Sequence, residues 1–210
     1  MLNLDKNMIA LIMIGGESRR MGGGIKSFIK FNDKYIFDRV LETAKKQIKK
    51  IIINCNVEET KLYKYKIPII KDLKNGYMGP LAGIHAAMSW IRNNDPQIEW
   101  LITLPGDTPF IPADLISNFK NKILHNTKII LAQSENKIHP IVGAWHLSLY
   151  DSLDSQLDLG IRKILSWAEL HPLDFVKYPI ESFDPFFNIN TKEDINIAAK
   201  IEKKFFLEKS

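Results

Sequence analysis

The sequence has little of several features that define other classes of protein. It has one cysteine, Cys55, in 210 residues, so no disulfide can form within the chain and a disulfide-bonded miniprotein is excluded. Its longest apolar runs, such as residues 8–14, are far shorter than the about 20 residues that a membrane-spanning helix needs. The N-terminal segment has neither a basic region nor a small-residue cleavage site, so no signal peptide is predicted and a cytoplasmic location is expected.

The chain carries only a small excess of one charge. It has 29 lysines and arginines against 24 aspartates and glutamates, a formal net charge of +5, and its 45% hydrophobic content is typical of a globular protein. Because most lysines are dispersed, neither a nucleic-acid nor a membrane partner is predicted. The surplus is also compatible with attraction of a phosphorylated small molecule. The densest cluster is interpreted as the solvated face of a predicted helix and consists of Lys45, Lys46, Lys49 and Lys50.

Short apolar runs alternate with amphipathic stretches along the chain. Strands are predicted at residues 8–14, 51–53, 67–70, 100–104, 129–132 and 141–145, with a possible edge strand at 175–178. Helical spacing of apolar residues predicts helices at 37–48, 81–91, 115–123, 148–153 and 161–170. A last helix is expected to begin at Thr191, with Asp194 completing a capping box. This alternation predicts one α/β domain over residues 1–210, with a mainly parallel sheet and helices on both faces.

A glycine-rich loop follows the first predicted strand. Its glycines and nearby cations are Gly15, Gly16, Gly22, Gly23, Gly24, Arg19, Arg20 and Lys26. Glycines let backbone amides approach a ligand closely, and the cations suit phosphate groups. Ile25 stands where a Walker A loop has glycine, and the loop contains no G-x-G-x-x-G pattern. The loop therefore predicts a phosphate site that belongs to neither of these common types.

Two aspartates follow predicted strands. Asp72 comes after the strand at 67–70, and Asp107 comes after the strand at 100–104. In open α/β sheets ligands bind outside the carboxyl ends of the strands. Asp72 is therefore a candidate contact for a ribose or a base, and Asp107 is a candidate ligand for Mg²⁺. Each aspartate has an alternative interpretation as the cap of a turn or helix.

Several motifs occur in an order that resembles one known family. They are G-G-x-S-R-R-M-G at residues 15–22, N-C-N at 54–56, G-P-L-A-G at 79–83, P-G-D-T-P at 105–109 and N-I-N-T at 188–191. Together they resemble the molybdenum cofactor guanylyltransferase family over residues 8–195. The resemblance implies a Rossmann-like nucleotidyltransferase fold and transfer of GMP from GTP to the phosphate of molybdopterin, with Mg²⁺ as cofactor and pyrophosphate released. It also implies cofactor-delivery and acceptor proteins as partners, and we expect a monomer or weak oligomer.

The same resemblance suggests the site residues. Those implied to bind GTP are Met13, Ile14, Gly15, Lys26, Asn54, Asp72 and Asp107. Those implied for the phosphate loop are Gly16, Arg19, Gly22 and Gly23, and those implied in catalysis are Lys26, Arg20 and Asp107, with Asp107 holding the metal. An acceptor pocket is expected at Pro80, Gly83, His139, Arg162, Asn188 and Asn190. This chain departs from the family at two positions. The family usually has L-A-G-G where this chain has M-I-G-G, so Ile14 is expected to narrow the base site. The family also usually has aspartate at the position of Ile25.

The residue types also suit nucleotidyl transfer when the family resemblance is set aside. Attack of one phosphate on the α-phosphorus of a nucleoside triphosphate needs no protein nucleophile, only alignment and neutralisation of the charge that develops on pyrophosphate. Two alternatives stay open at this point. One is a cytidylyltransferase acting on molybdopterin or on a sugar-like phosphate, and the other is a catalytically idle nucleotide-binding module in cofactor assembly.

Overall fold

The computed structural model describes residues 7–15, 25–74 and 79–207. Its strands are Met8–Ile14 (β1), Lys30–Phe31 (β2), Lys34–Tyr35 (β3), Ile51–Cys55 (β4), Ile69–Ile70 (β5), Trp100–Pro105 (β6), Ile129–Ser134 (β7), Lys137–His146 (β8) and Leu173–Tyr178 (β9). Its α-helices are Ile36–Gln47 (α1), Pro80–Asn94 (α2), Leu115–Lys122 (α3), Tyr150–Asp158 (α4), Ile164–Ala168 (α5) and Lys192–Glu202 (α6).

Seven of these strands form one sheet in the order β5-β4-β1-β6-β8-β7-β9. Neighbouring strands are parallel except at β8, which is antiparallel to both β6 and β7. All strands of the sheet other than β8 therefore run in the same direction. The prediction of a mainly parallel sheet is confirmed, and β9 lies at its edge as expected.

The central strand β1 explains why helices cover both faces. Its side chains alternate between two cores: Ala10 and Ile12 pack on one face, and Ile9 and Leu11 pack on the other. A strand buried on both faces is apolar throughout, as the M-I-A-L-I-M-I run is. The first core contains apolar side chains of α1 and α3. The second contains those of α2, α4 and α5, so the predicted two-faced arrangement is confirmed.

A third, smaller core lies between α6 and the region of β2 and α1. Phe31 and Ile36 pack there with Ala198 of α6. A buried ion pair closes the same contact: Arg39, 7% exposed, donates from Nη2 to Glu202 Oε2 at 2.6 Å and to the Phe31 carbonyl oxygen at 2.9 Å. A buried pair of this kind is costly to break because the remaining charge has no compensation. It therefore holds α6 against the region of β2 and β3.

The element boundaries differ from the predicted ones in a few places. The strand expected at 141–145 extends over Lys137–His146, and the helix expected at 161–170 is limited to Ile164–Ala168. The β2–β3 hairpin was missed, and its two turn residues, Asn32 and Asp33, both have positive φ angles, 46° and 62°, as tight hairpin turns require. The capping box at α6 is confirmed. Across the described ranges no helix is both long enough and apolar enough to cross a membrane.

Candidate active site

The candidate site lies where β1, β4, β5 and β6 end. The ends of β1 and β6 are tied together, since the Gly106 amide donates to the Met13 carbonyl oxygen at 2.9 Å. The ends of β4 and β5 lie on the other side of β1. Parallel strands bring their carboxyl ends to one edge, so residues far apart in sequence meet there.

The first cluster at this edge joins a cation to a carboxylate. Lys26 Nζ lies 3.4 Å from Asp107 Oδ2 and also donates to Asn190 Oδ1. The side chains of Lys26 and Asp107 are 18% and 15% exposed, so both charges are largely removed from water yet remain accessible to a ligand. The Asn188 side chain is close enough to Asp107 to lower the pKa of its carboxyl. The structure thus brings together Lys26 and Asp107 with two residues that were expected in an acceptor pocket.

Burial dominates the electrostatics of Asp107. Desolvation raises the pKa of its carboxyl above the ordinary aspartate value, while the charge of Lys26 and the hydrogen bonds from Lys26 and Asn188 act in the opposite direction. Perturbed acids in clefts are frequent at functional sites because the perturbing environment also binds charged ligands. Asp107 and Lys26 are therefore the pair at this edge best placed to act on a charged substrate.

The start of α6 fixes the position of Asn190. The backbone amides of Asn190 and Thr191 both donate to Asp194 Oδ2 at 2.8 Å, and the Asp194 amide donates to Thr191 Oγ1 at 3.1 Å. One residue earlier, the Ile189 amide donates to the Asp107 carbonyl oxygen at 3.1 Å. The helix cap therefore holds the segment that contacts Lys26 and Asp107.

A second cluster surrounds Asp72. Asn54 Nδ2 donates to Asp72 Oδ1 at 3.0 Å, and Asn56 Nδ2 donates to Asp72 Oδ2 at 2.8 Å. Asn56 Oδ1 accepts from the Asp72 amide at 2.8 Å, which closes a reciprocal pair. Both oxygens of the carboxylate are thus oriented by side chains at the end of β4.

Gly83, in the first turn of α2, allows a close approach to this second cluster. A Cβ atom at this position would lie 2.5 Å from Asn54 Oδ1 and 2.8 Å from Met13 Cε, closer than atoms in real proteins approach. Met13 is half-buried and Asn54 is buried. The absence of a side chain at 83 therefore leaves room for Asn54 to bond Asp72.

The other predicted site residues lie in different surroundings. Ile14 is 4% exposed and packs in the core beneath α1, so its side chain fills the interior. Gly15 is exposed. Pro80 begins α2. Arg162 donates to the carbonyl oxygens of Leu157 and Ile161, at 3.0 and 2.9 Å, and its own carbonyl oxygen lies near Gly79.

His139 lies outside the two clusters. It is 8% exposed, its Nε2 is 2.6 Å from Ser134 Oγ, and its ring packs against Phe186 with centroids 4.6 Å apart. Desolvation lowers its pKa below the ordinary histidine value, with the nearby Asp184 acting in the opposite direction. These contacts are those of an interior histidine, and its role in an acceptor pocket stays a prediction.

Five predicted residues of the phosphate loop and catalytic set lie outside the described residues. They are Gly16, Arg19, Arg20, Gly22 and Gly23.

Asn56 was missed as a site residue. The sequence contained a signal for it, because alternate residues of a strand face the same side and Asn54 was already a candidate.

The site can be tested for its fit to a magnesium ion. Within the described ranges no three or more histidine, cysteine, aspartate or glutamate side chains are grouped so that they could hold a metal ion, which is unlike a closed protein cage for a metal. Magnesium is usually held by one or two carboxylates together with phosphate oxygens and water. Asp107, with the Asn190 amide oxygen on the neighbouring Lys26, fits that kind of site.

The fold and the charged groups at its carboxyl edge define the class of protein as an α/β nucleotidyltransferase. The chain belongs to the family of MobA-like NTP transferase domains, whose family model matches residues 10–173.

Two named relatives and one solved structure support the membership of this family. A protein of Nitrobacter hamburgensis, named molybdenum cofactor guanylyltransferase, is 35% identical over 193 residues, which is 91% of this chain and 92% of that one. A protein of the same name from Yersinia pestis is 32% identical over 92% of this chain and 96% of its own length. The solved structure of molybdopterin-guanine dinucleotide biosynthesis protein A from Archaeoglobus fulgidus has a TM-score of 0.72 at 27% identity, covering 94% of this chain and 100% of that one.

Proposed function

We propose that the protein transfers GMP from GTP to the terminal phosphate of molybdopterin and releases pyrophosphate. The observation that carries the proposal is the Lys26–Asp107–Asn190 cluster beside the Asn54–Asp72 pair at one edge of the sheet. This juxtaposition supplies a place for the triphosphate and a place for the nucleoside on adjacent strands. The names of the relatives support the choice of guanine and of a molybdenum cofactor.

The reaction exchanges one phosphoanhydride bond for another. A phosphate oxygen of molybdopterin forms a bond to the α-phosphorus of GTP, and the bond between that phosphorus and the bridging oxygen of the β-phosphate breaks. The electron pair leaves with pyrophosphate. Because the attacking phosphate is already ionised at neutral pH, no general base is required, and the protein contributes alignment and charge neutralisation.

Lys26 and Asp107 have different roles at the phosphates. The Lys26 ammonium donates hydrogen bonds to phosphate oxygens and offsets the negative charge that develops on the leaving group. Asp107, with Asn188 and Asn190 beside it, would hold Mg²⁺, which supplies further charge neutralisation when bound. Asn190 also limits where the Lys26 ammonium can lie, since it accepts a hydrogen bond from Nζ.

The second cluster is assigned to the nucleoside. Asp72 is held in one orientation by Asn54 and Asn56, so its carboxylate is presented to a ribose hydroxyl or base N–H without rearrangement. We assign Gly15, Met13 and the N-terminal part of α2 to the walls of this nucleoside site. The arginines and glycines of residues 16–24 are proposed as the remaining phosphate contacts, and the reaction is expected to occur in the cytoplasm.

A comparison of nucleotides tests the proposal. With Mg²⁺ and molybdopterin, GTP should give stoichiometric pyrophosphate and a guanine dinucleotide product detectable by mass spectrometry. In thermal unfolding, GTP at about a hundred times its dissociation constant should stabilise the protein by roughly 2.7 kcal/mol, and CTP at the same concentration by much less. Equal stabilisation and turnover with CTP would replace the proposal by cytidylyl transfer, and binding of GTP without any product would replace it by an idle binding module.

A further inference from the structure

A second concave site lies at the amino ends of the parallel strands, at the opposite edge of the sheet from the candidate active site. It is an open surface cleft of about 360 Å³, at the small end of the range of small-molecule sites. Apolar side chains from the starts of β1 and β4 and from the segment before β5 form its floor. We call it the basic cleft, and its polar lining consists of Lys45, Lys49, Lys50, Lys66, Asp95 and the indole of Trp90.

The charge of the basic cleft is strongly positive. Four lysines and one aspartate line it, a formal charge of +3, and the Asp95 carboxylate is already engaged by Lys50 at 2.5 Å and by Gln97. In the described part of the chain, Lys45, Lys49 and Lys66 have no carboxylate partner. The cleft thus offers several free donors and a single acceptor that is in use.

The helix dipoles do not neutralise all of the positive charge of the basic cleft. Helices α1 and α2 both end at this edge, at Gln47 and Asn94, and lysines near a helix C-terminus are stabilised by its dipole. Each C-terminus is equivalent to about half a negative charge, so two ends offset about one of the three positive charges. A positive excess remains, which favours an anionic ligand.

Two further features indicate a ligand that also has a flat or apolar part. Trp90 is half-buried, and its indole N–H has no hydrogen-bond acceptor among the residues that the structure describes. The floor beside it is isoleucine and proline, so a ring would find apolar contact while its phosphate meets the lysines.

From these observations we propose that the basic cleft binds a phosphorylated ligand, through Lys45, Lys49 and Lys66, separately from the candidate active site. Lysine ammonium groups bind phosphate as mobile point charges, and the apolar floor with Trp90 favours a phosphate carried by a flat ring over free phosphate. The proposal does not depend on the nature of the reaction at the opposite edge.

The four tryptophans provide a local measurement. The indole N–H groups of Trp90, Trp100, Trp145 and Trp167 give four NMR signals, of which the last three belong to side chains at most 3% exposed, and Trp90→Phe identifies the fourth. The full-length protein is titrated separately with inorganic phosphate, inorganic pyrophosphate, GMP and an oligoglutamate peptide. The Trp90 signal should shift and saturate with GMP and with pyrophosphate, and GMP should bind more tightly than phosphate.

Charge-neutral variants assign the effect to the cleft. In the double variant Lys45→Gln and Lys49→Gln the dissociation constant should rise at least about tenfold, because two charged hydrogen-bond donors are lost. Lys46→Gln is the matched control, since Lys46 is exposed on the same turn of α1 and does not line the cleft. Unchanged signals of the three buried tryptophans confirm that each variant is folded.

Each contrary outcome overturns the site or the proposed contact with a ring. A Trp90 signal that no phosphorylated probe shifts excludes the site, and equal weakening by Lys46→Gln reduces it to non-specific surface attraction. A shift with oligoglutamate alone would identify the cleft as a docking surface for an acidic protein. If inorganic phosphate binds as tightly as GMP, the phosphoryl group is the recognised part and the proposed contact with a ring is wrong.

Discussion

The two edges of the parallel sheet differ in how their polar groups are arranged. At the carboxyl edge, groups of opposite character face each other: Lys26 contacts Asp107, and Asp72 accepts from Asn54 and Asn56. At the amino edge, lysines surround an apolar floor and most lack a partner in the described chain. The first arrangement is preorganised by the protein, whereas the second leaves cationic side chains without a carboxylate partner in the described ranges.

This difference predicts where substitutions affect the reaction. Preorganised polar groups lower the barrier because they need no reorganisation when charge develops. Solvated lysines contribute little to stability or to chemistry at a distance, since salt screens them over about 10 Å. Changes at the carboxyl edge should therefore alter turnover, and changes at the amino edge should not.

The largest effect is expected for Asp107→Asn. The amide keeps the shape of the side chain but removes the charge that would hold the metal against the triphosphate, so the rate of pyrophosphate release should fall at least about 10²-fold. Asp174→Asn is the control, because Asp174 is a half-exposed residue of β9 near Lys122 and should keep its rate. A wild-type rate in Asp107→Asn would place the metal ligand elsewhere at this edge.

The next effect is expected for Lys26→Ala. Loss of a charged donor to phosphate costs about 1.5–3 kcal/mol, so kcat/KM for the nucleotide should fall at least about tenfold. Lys30→Ala, four residues along and exposed on β2, is expected to leave kcat/KM unchanged. Equal losses in both variants would show that only the general positive field matters.

A smaller effect is expected for Gly83→Ala. The new Cβ would displace Asn54 from Asp72, so KM for the nucleotide should rise several-fold with a smaller change in kcat. In an Asn54→Ala background the main clash is absent, and the same substitution should then have little further effect. Independent, additive effects of the two substitutions would contradict the assignment of Asn54 and Asp72 to the nucleoside.

A pH-dependent gain of stability is expected for Asp107→Asn. Because burial raises the pKa of Asp107 in the folded state, its carboxyl lowers stability as the pH rises above the unfolded pKa, and the full cost is present above the folded pKa. The free energy of unfolding of the variant should therefore exceed that of the wild type at pH 7. The difference should disappear below about pH 4, the ordinary value for aspartate. Urea unfolding at pH 7 and pH 4 measures it, and a variant less stable at pH 7 would show that the bond to Lys26 outweighs burial.

The smallest effect is expected at the opposite edge. Lys49→Gln should change turnover without added ligand by less than the error of the assay, and stability by no more than about 0.5 kcal/mol. A large loss of turnover would mean that the two edges are coupled.

The apolar sequence pattern was sufficient to predict much of the fold. The M-I-A-L-I-M-I run predicted a strand buried on both faces, and Thr191 with Asp194 located the start of α6. The reversed direction of β8 was not predictable, because an apolar strand such as 141–145 has the same pattern in either direction. The β2–β3 hairpin was missed because each strand has two residues, too few for alternation to be recognised.

The candidate site was predictable in part. Lys26, Asp107, Asn54 and Asp72 were all expected, but Asn188 and Asn190 were expected at an acceptor pocket. Their contact with Lys26 and Asp107 depends on where α6 packs, and that is decided by the third core and by the Arg39–Glu202 pair. Such contacts over long sequence separation leave no local pattern.

The hydrogen bond between Lys26 and Asn190 spans 164 positions, which has a consequence for synthesis. Contacts between distant positions form late, because the chain must close a long loop before it gains from them. During translation, every growing chain that has not yet reached Asn190 lacks one side of the Lys26–Asp107 cluster. The phosphate-handling cluster can therefore be completed only after the segment that begins α6 has been made.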